Sequence, residues 1–155
     1  MGLRQNMASE PVSKLDLREP VLCGPAETVR DAILKMRERR LGCVIVVDIY
    51  RKPLGMFTES KLTQLLADNP EAVNDVIGNH LEKPWPWVME SDPISLVLED
   101  MQLNNVRFIG VLNTDGQVVG LTGQKGLMEY ISEHFPQQVM VQRVGSRPPA
   151  EREGA

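Results

Sequence analysis

Gly55-Met56-Phe57-Thr58-Glu59-Ser60-Lys61-Leu62 is the stretch that decides how the rest of the chain is read. Met56 and Phe57 read as the end of a buried strand. Thr58 offers a side-chain oxygen where a helix begins, and Leu62 is the first apolar residue on that helix's inner face. A strand that runs into a helix N-terminus gathers free backbone N–H groups and the positive end of the helix dipole. Such a junction is a generic place to hold an anion such as a phosphate. One junction is a weak signal, but the chain makes it twice, again at Gly120 to Leu127.

Upstream of the first junction, Val29, Ala32, Ile33 and Met36 fall on one face of a helix spanning Thr28 to Arg40. Gly42 closes it, and Cys43 to Val47 is a β-branched run apolar enough for a buried strand. Ile49 to Lys52 makes a turn and Leu54 to Phe57 returns as a second strand. The following helix carries Leu62, Leu65 and Leu66 inward and stops before Asn69-Pro70. In front of the unit, Pro11 to Cys23 reads as a lead-in turn and a short strand.

Asn74 to Leu81 reads as a helix of one or two turns, with Val73, Val76 and Ile77 on one face. Lys83 to Val88 cannot be helical, because each proline pushes its predecessor towards extended geometry. It leads into a strand near Trp87 to Met89. The unit then recurs. Asp92-Pro93 is an N-cap followed by proline at the first helical position. Ile94, Val97, Leu98 and Met101 repeat the inward face, and Arg107 to Leu112 is the strand. Asp115-Gly116 is a hairpin turn signal, Gln117 to Leu121 returns, and Leu127, Met128 and Ile131 mark the closing helix. Laid over each other without a gap, the halves are offset by 65 residues: Met36 meets Met101, Val46 meets Val111, Gly55 meets Gly120 and Leu62 meets Leu127. Apolar positions meet apolar positions almost throughout, which is the mark of an internal duplication.

The ends differ from this body. Residues 1–10 are polar and unpatterned and are expected to be mobile. Residues 11–68 form the first repeat with its lead-in and 69–136 the second. Residues 137–144 alternate enough to suggest a terminal strand, and 145–155, rich in Pro, Arg and Glu, are expected to be disordered.

A chain of 155 residues suits one compact unit with a real core, and 42% hydrophobic with 25% charged residues is ordinary for a soluble globular protein. The net charge of −4 argues against a nucleic-acid binder, and the cationic cluster Arg30 to Arg40 is interleaved with Asp31 and Glu38 as on a solvated helix face. Cys23 and Cys43 have neither metal-site nor disulfide-framework spacing. No stretch has the length and apolarity of a signal peptide or membrane span, so a cytoplasmic location is expected.

The duplicated β-α-β-β-α unit resembles the cystathionine-β-synthase domain pair over roughly residues 11–136. The most specific pieces are Val44-Ile45-Val46-Val47-Asp48, Pro53-Leu54-Gly55-Met56-Phe57-Thr58 and the hairpin from Val111 to Gly120. The resemblance implies an α/β (α+β) fold in which two repeats pack as a pseudo-twofold pair, commonly assembled as a homodimer. It implies a regulatory module without catalytic residues and with no required cofactor. Its clefts bind adenosine-type ligands such as AMP, ADP, ATP or S-adenosylmethionine, and it signals to a partner protein. The competing expectation is a structural adaptor with degenerate clefts.

The family's ribose signature, Gly-x-x-Thr/Ser-x-x-Asp, is only half present. Gly55 and Thr58 fit, but Lys61 holds the Asp slot. In the second repeat Gly120 fits, while Gly123 and Gly126 hold the Thr and Asp slots. Thr122 sits one residue early and is expected on the opposite face of the strand. A lysine cannot accept a hydrogen bond from a ribose hydroxyl and a glycine has no side chain to offer. The ligand set that the resemblance implies is Thr58, Lys61, Arg107, Thr122 and Lys125, with backbone groups near Cys23 and Val88. Lys61 either faces a bound anion or points into solvent. Trp85 and Trp87 either stack on a base, cover a dimer interface or bury against the neighbouring repeat, the last needing the fewest conditions. His80 and His134 lack an acidic or cysteine partner at ligand spacing, and no nucleophile elbow or phosphate loop is present, so catalysis and a metal site are not expected.

Overall fold

The computed structural model describes residues 2–135. Each apolar run and its return form a hairpin: β2 (Cys43–Val47) pairs antiparallel with β3 (Pro53–Thr58), and β5 (Phe108–Leu112) pairs antiparallel with β6 (Val118–Gly123). A short strand adds in parallel to each hairpin, β1 (Leu22–Cys23) beside β2 and β4 (Trp87–Met89) beside β5. The result is two three-stranded sheets, ordered β1-β2-β3 and β4-β5-β6. Their registers match at the 65-residue offset: Cys43 opposes Thr58 as Phe108 opposes Gly123, and a shift follows Val46 as one follows Val111.

Helices complete each unit: α2 (Val29–Arg39) and α3 (Glu59–Asp68) in the first, α4 (Ile94–Asn104) and α5 (Gln124–His134) in the second. A capping box starts α2: Thr28 Oγ1 accepts the Asp31 N–H at 3.1 Å, and the Asp31 carboxylate accepts the Thr28 N–H at 3.0 Å. Arg40 and Asn105, equivalent residues, both end their helices in the left-handed conformation, each with φ of 52°. The second N-cap is Pro93 rather than Asp92. The Asp92 carboxylate instead accepts the Met89 N–H at 2.8 Å.

The lead-in segments cross between repeats. Val29 donates its N–H to the Asp75 carbonyl and Ile94 donates to that of Glu10, both at 2.9 Å. Ile77 donates to Glu27 at 2.7 Å, as Val12 does to Asp92 at 2.8 Å. Further on, Arg18 pairs with Leu121 of β6, and Glu82 pairs with Met56 of β3. Each lead-in therefore lies on the sheet of the other repeat, and the pair is related by a pseudo-twofold. Side chains close the seam. A Cβ on Gly55 would stand 2.9 Å from Leu81 Cβ, and one on Gly120 would stand 3.0 Å from Leu17 Cδ1.

This crossing corrects two expectations. Residues 1–10 are not an unpatterned end: Leu3–Ser9 forms α1, which packs on α4 and buries Met7. It stands where the 3₁₀ turn Pro70–Asn74, with buried Ala72, stands in the other repeat. The expected helix at 74–81 is instead that turn and a second one at Ile77–His80, and Val76 is exposed. The strand expected at 137–144 and the tail at 145–155 lie outside the described residues.

Two apolar clusters fill the fold. The first packs α2, β2 and β3 together with Val118 and Leu121 of β6. The second packs Met7, Val12 and Leu15 with Ile94, Val97, Ile109, Val111 and Leu127. Each fully buried valine or isoleucine stabilises the fold by roughly 1.5–3 kcal/mol. Met36 is buried as expected, whereas Met128 and Leu98 are 45% and 39% exposed and so leave the inward face.

Candidate functional site

A cleft of about 1430 Å³ opens between the repeats. From the first repeat come Gly42, Thr58, Ser60 and Lys61. From the second come Arg107, Phe108 and the facing sides of α4 and α5, and the lead-in Leu81 to Trp85 crosses between them. The strand-to-helix junction sets the geometry. Thr58 ends β3, is 8% exposed, and its Oγ1 accepts the Lys61 N–H at 3.2 Å as the N-cap of α3. Its hydroxyl proton is committed elsewhere: Oγ1 donates to Glu82 Oε2 at 2.6 Å. Glu82 is fixed by its backbone, its N–H donating to the Met56 carbonyl at 2.8 Å. Lys61, Lys83 and Arg107 line the cleft with Glu59 and Glu82, so cations outnumber carboxylates there.

The equivalent junction in the second repeat is nearly closed. Its cavity, about 30 Å³, is lined by Asp16, Arg18, Arg107, Thr122, Gly123, Lys125 and Gly126 among others. That is room for a water molecule and not for a nucleotide. Gly123 is sterically required, and Gly126 is crowded by a side chain. A Cβ at Gly123 would stand 2.1 Å from the Arg107 carbonyl oxygen, and one at Gly126 would stand 2.6 Å from Thr122 Oγ1. Thr122 is 4% exposed, and its Oγ1 has no hydrogen-bond partner among the described residues.

The residues picked from the sequence thus fall into three places. Thr58, Lys61 and Arg107 line the open cleft, while Thr122 and Lys125, again with Arg107, line the closed one. Cys23 and Val88, 2% and 1% exposed, belong to the two apolar clusters and line neither. Burial pushes the Cys23 thiol up to about 11, with the Glu27 carboxylate adding to the effect, so that sulfur is a neutral packing group. Trp85 donates its indole N–H to the Phe108 carbonyl at 3.0 Å, and the Trp87 ring covers Gly110. Both tryptophans are half-buried against the first repeat's core.

Glu82 escaped the sequence reading. The signal that finds it is Leu81-Glu82 standing on β3 as Leu17-Arg18 stands on β6, a match visible only once the lead-ins are seen to cross. His80 does have an acidic partner, its Nε2 lying 2.8 Å from Asp75 Oδ2. Among the described residues no group of three or more His, Cys, Asp or Glu is placed to hold a metal ion. No helix there is long and apolar enough to cross a membrane.

Residues 12–68 match the family model of the CBS domain. The uncharacterised protein MK0525 of Methanopyrus kandleri is 24% identical over 132 residues, which cover 79% of this chain and 63% of that relative. The chain thus spans less than two thirds of that relative's length. Among solved structures, the CBS domain protein PAE2072 from Pyrobaculum aerophilum complexed with AMP superposes with a TM-score of 0.71 at 19% identity, covering 88% of this chain and all of that one. The CBS domain pair of protein MJ0100, in complex with 5′-methylthioadenosine and S-adenosyl-L-methionine, also gives 0.71, at 17% identity over 80% of this chain and 97% of that one.

Proposed function

We propose, from the CBS-domain match of residues 12–68 and the fold shared with CBS-domain pairs, that the protein is a regulatory module binding an adenosine-type nucleotide in the open cleft and signalling occupancy to a partner protein. The observation that carries this reading is the convergence on one cleft of Lys61, on the first turn of the helix that Thr58 caps, from the first repeat and Arg107 from the second. Two cations and the positive end of the α3 dipole suit the phosphates of AMP, ADP or ATP, and Phe108 and Trp85 offer aromatic surface to a base. Two proteins of the same fold were crystallised with AMP and with S-adenosylmethionine, which supports the ligand class. A ligand spanning both repeats would bind best to one relative orientation of them, and that difference is what a partner reads.

Calorimetry with AMP, ADP, ATP and S-adenosylmethionine tests the proposal. Saturable heat with at least one ligand supports it. No heat and no thermal shift at millimolar ligand removes it.

The closed second cavity supports the alternative reading, a structural dimerisation or adaptor module with degenerate clefts, for that half alone, which keeps the fold without the binding side chains. The proposed assembly is a homodimer acting in the cytoplasm, paired through the helical face where Leu98, Leu103 and Met128 are exposed, a face whose Leu98 and Met128 also line the rim of the open cleft. Sedimentation equilibrium of the wild type and of a Leu103→Glu variant tests this, a wild-type monomer counting against it.

A further inference from the structure

Resting on that nucleotide reading, we infer that Glu82 is the carboxylate that recognises the vicinal hydroxyls of a ribonucleoside in the open cleft. The helix position from which an aspartate would do this holds Lys61, which can only donate. Thr58 does not take that acceptor's place, because its Oγ1 already accepts the Lys61 N–H at 3.2 Å and donates its one proton to Glu82 at 2.6 Å. That same bond, with the backbone pairing of Glu82 to Met56 at 2.8 Å, fixes the carboxylate at the cleft wall. Glu82 is half-buried and makes no salt bridge among the described residues, although Lys61 and Lys83 line the same cleft. One of its oxygens accepts from Thr58, and a carboxylate has acceptor capacity for at least two more hydrogen bonds, the number a cis-diol donates.

The second repeat shows the contrast. Arg18 stands on β6 as Glu82 stands on β3, and a guanidinium accepts nothing. Diol recognition is thus assigned to the open cleft alone. The lead-in supplies the group that the helix lost.

The test is calorimetry of wild type and Glu82→Gln with AMP and with 2′-deoxy-AMP. Wild type is expected to prefer AMP by about tenfold, the worth of a hydrogen bond to a charged group. Glu82→Gln is expected to lose that preference, its AMP affinity falling to the 2′-deoxy-AMP level while 2′-deoxy-AMP binding barely changes. Unchanged AMP affinity in Glu82→Gln overturns the inference and leaves the nucleotide reading standing. Should the variant not fold, equal binding of the two nucleotides by wild type overturns it alone. A wild type that binds neither nucleotide overturns both.

Discussion

Ile45 and Gly110 hold the same place in the two repeats, and they meet: Ile45 Cδ1 lies 3.1 Å from where a Cβ on Gly110 would stand. Residues related by the repeat can touch only near the local twofold, so the axis passes between these two. The pairing is unequal because Trp87, opposite Gly110 in register, lays its ring 2.6 Å from that Cβ position. The matching neighbour of Ile45 is the smaller Leu22. One half fills the axis with a branched side chain and the other with an indole.

Gly110→Ala is therefore expected to destabilise the fold by about 1–3 kcal/mol through overpacking. In a Trp87→Leu background, which copies Leu22, the same change is expected to cost measurably less. Urea denaturation of the four proteins in the cycle checks this. Equal costs in both backgrounds would place the strain elsewhere.

Gly126 and Thr122 are coupled in the same way. A Cβ at Gly126 would stand 2.6 Å from Thr122 Oγ1, so Gly126→Asp, the change that restores the family's ribose acid, is expected to destabilise rather than create a site. Gly126→Ala is the simpler probe. In the wild type its gain in helix propensity, about 1 kcal/mol, is opposed by the clash. In a Thr122→Ala background the clash is gone and Gly126→Ala is expected to stabilise. Thermal denaturation of the two pairs reads the sign directly.

Stability is expected to fall in alkali. Burial pushes the Cys43 thiol up to about 12 and the Cys23 thiol up to about 11. Burial, then the hydrogen bond its hydroxyl donates to Glu10, pushes Tyr130 up to about 12. The folded state keeps protons that an unfolded thiol releases near about 8.5. Stability from these groups is thus fully present below that pH and is lost as pH rises towards 11 and 12. The urea midpoint should drop between pH 8 and pH 10.5, and Cys43→Ala should lessen the drop. A flat profile would contradict the burial of both thiols.

Much of the fold was legible because its signals are local and repeated. The β-branched run at Cys43–Val47, the threonine caps and the 65-residue offset each need only neighbouring residues to be read. What stayed hidden depends on contacts between repeats. The helix at Leu3–Ser9 has only Met7 buried, and its partner α4 lies some ninety residues on. Arg51 takes the left-handed turn position that Gly116 takes in the other hairpin, with φ of 66° and 79°. No glycine announces that turn; instead Arg51 donates from Nε to the Val118 carbonyl at 2.7 Å across the seam. The site divides likewise. Thr58 is readable from its junction, whereas Glu82 acquires meaning only when its lead-in is placed on β3.

The most direct measurement is a titration of ¹⁵N-labelled protein with AMP, followed by backbone amide shifts. The expected result is saturable change concentrated at Thr58 to Lys61, at Glu82 and Lys83, and at Arg107 and Phe108, with Thr122 to Gly126 much less affected. Shifts centred on Thr122 to Gly126, or none at saturating nucleotide, would contradict binding in the open cleft.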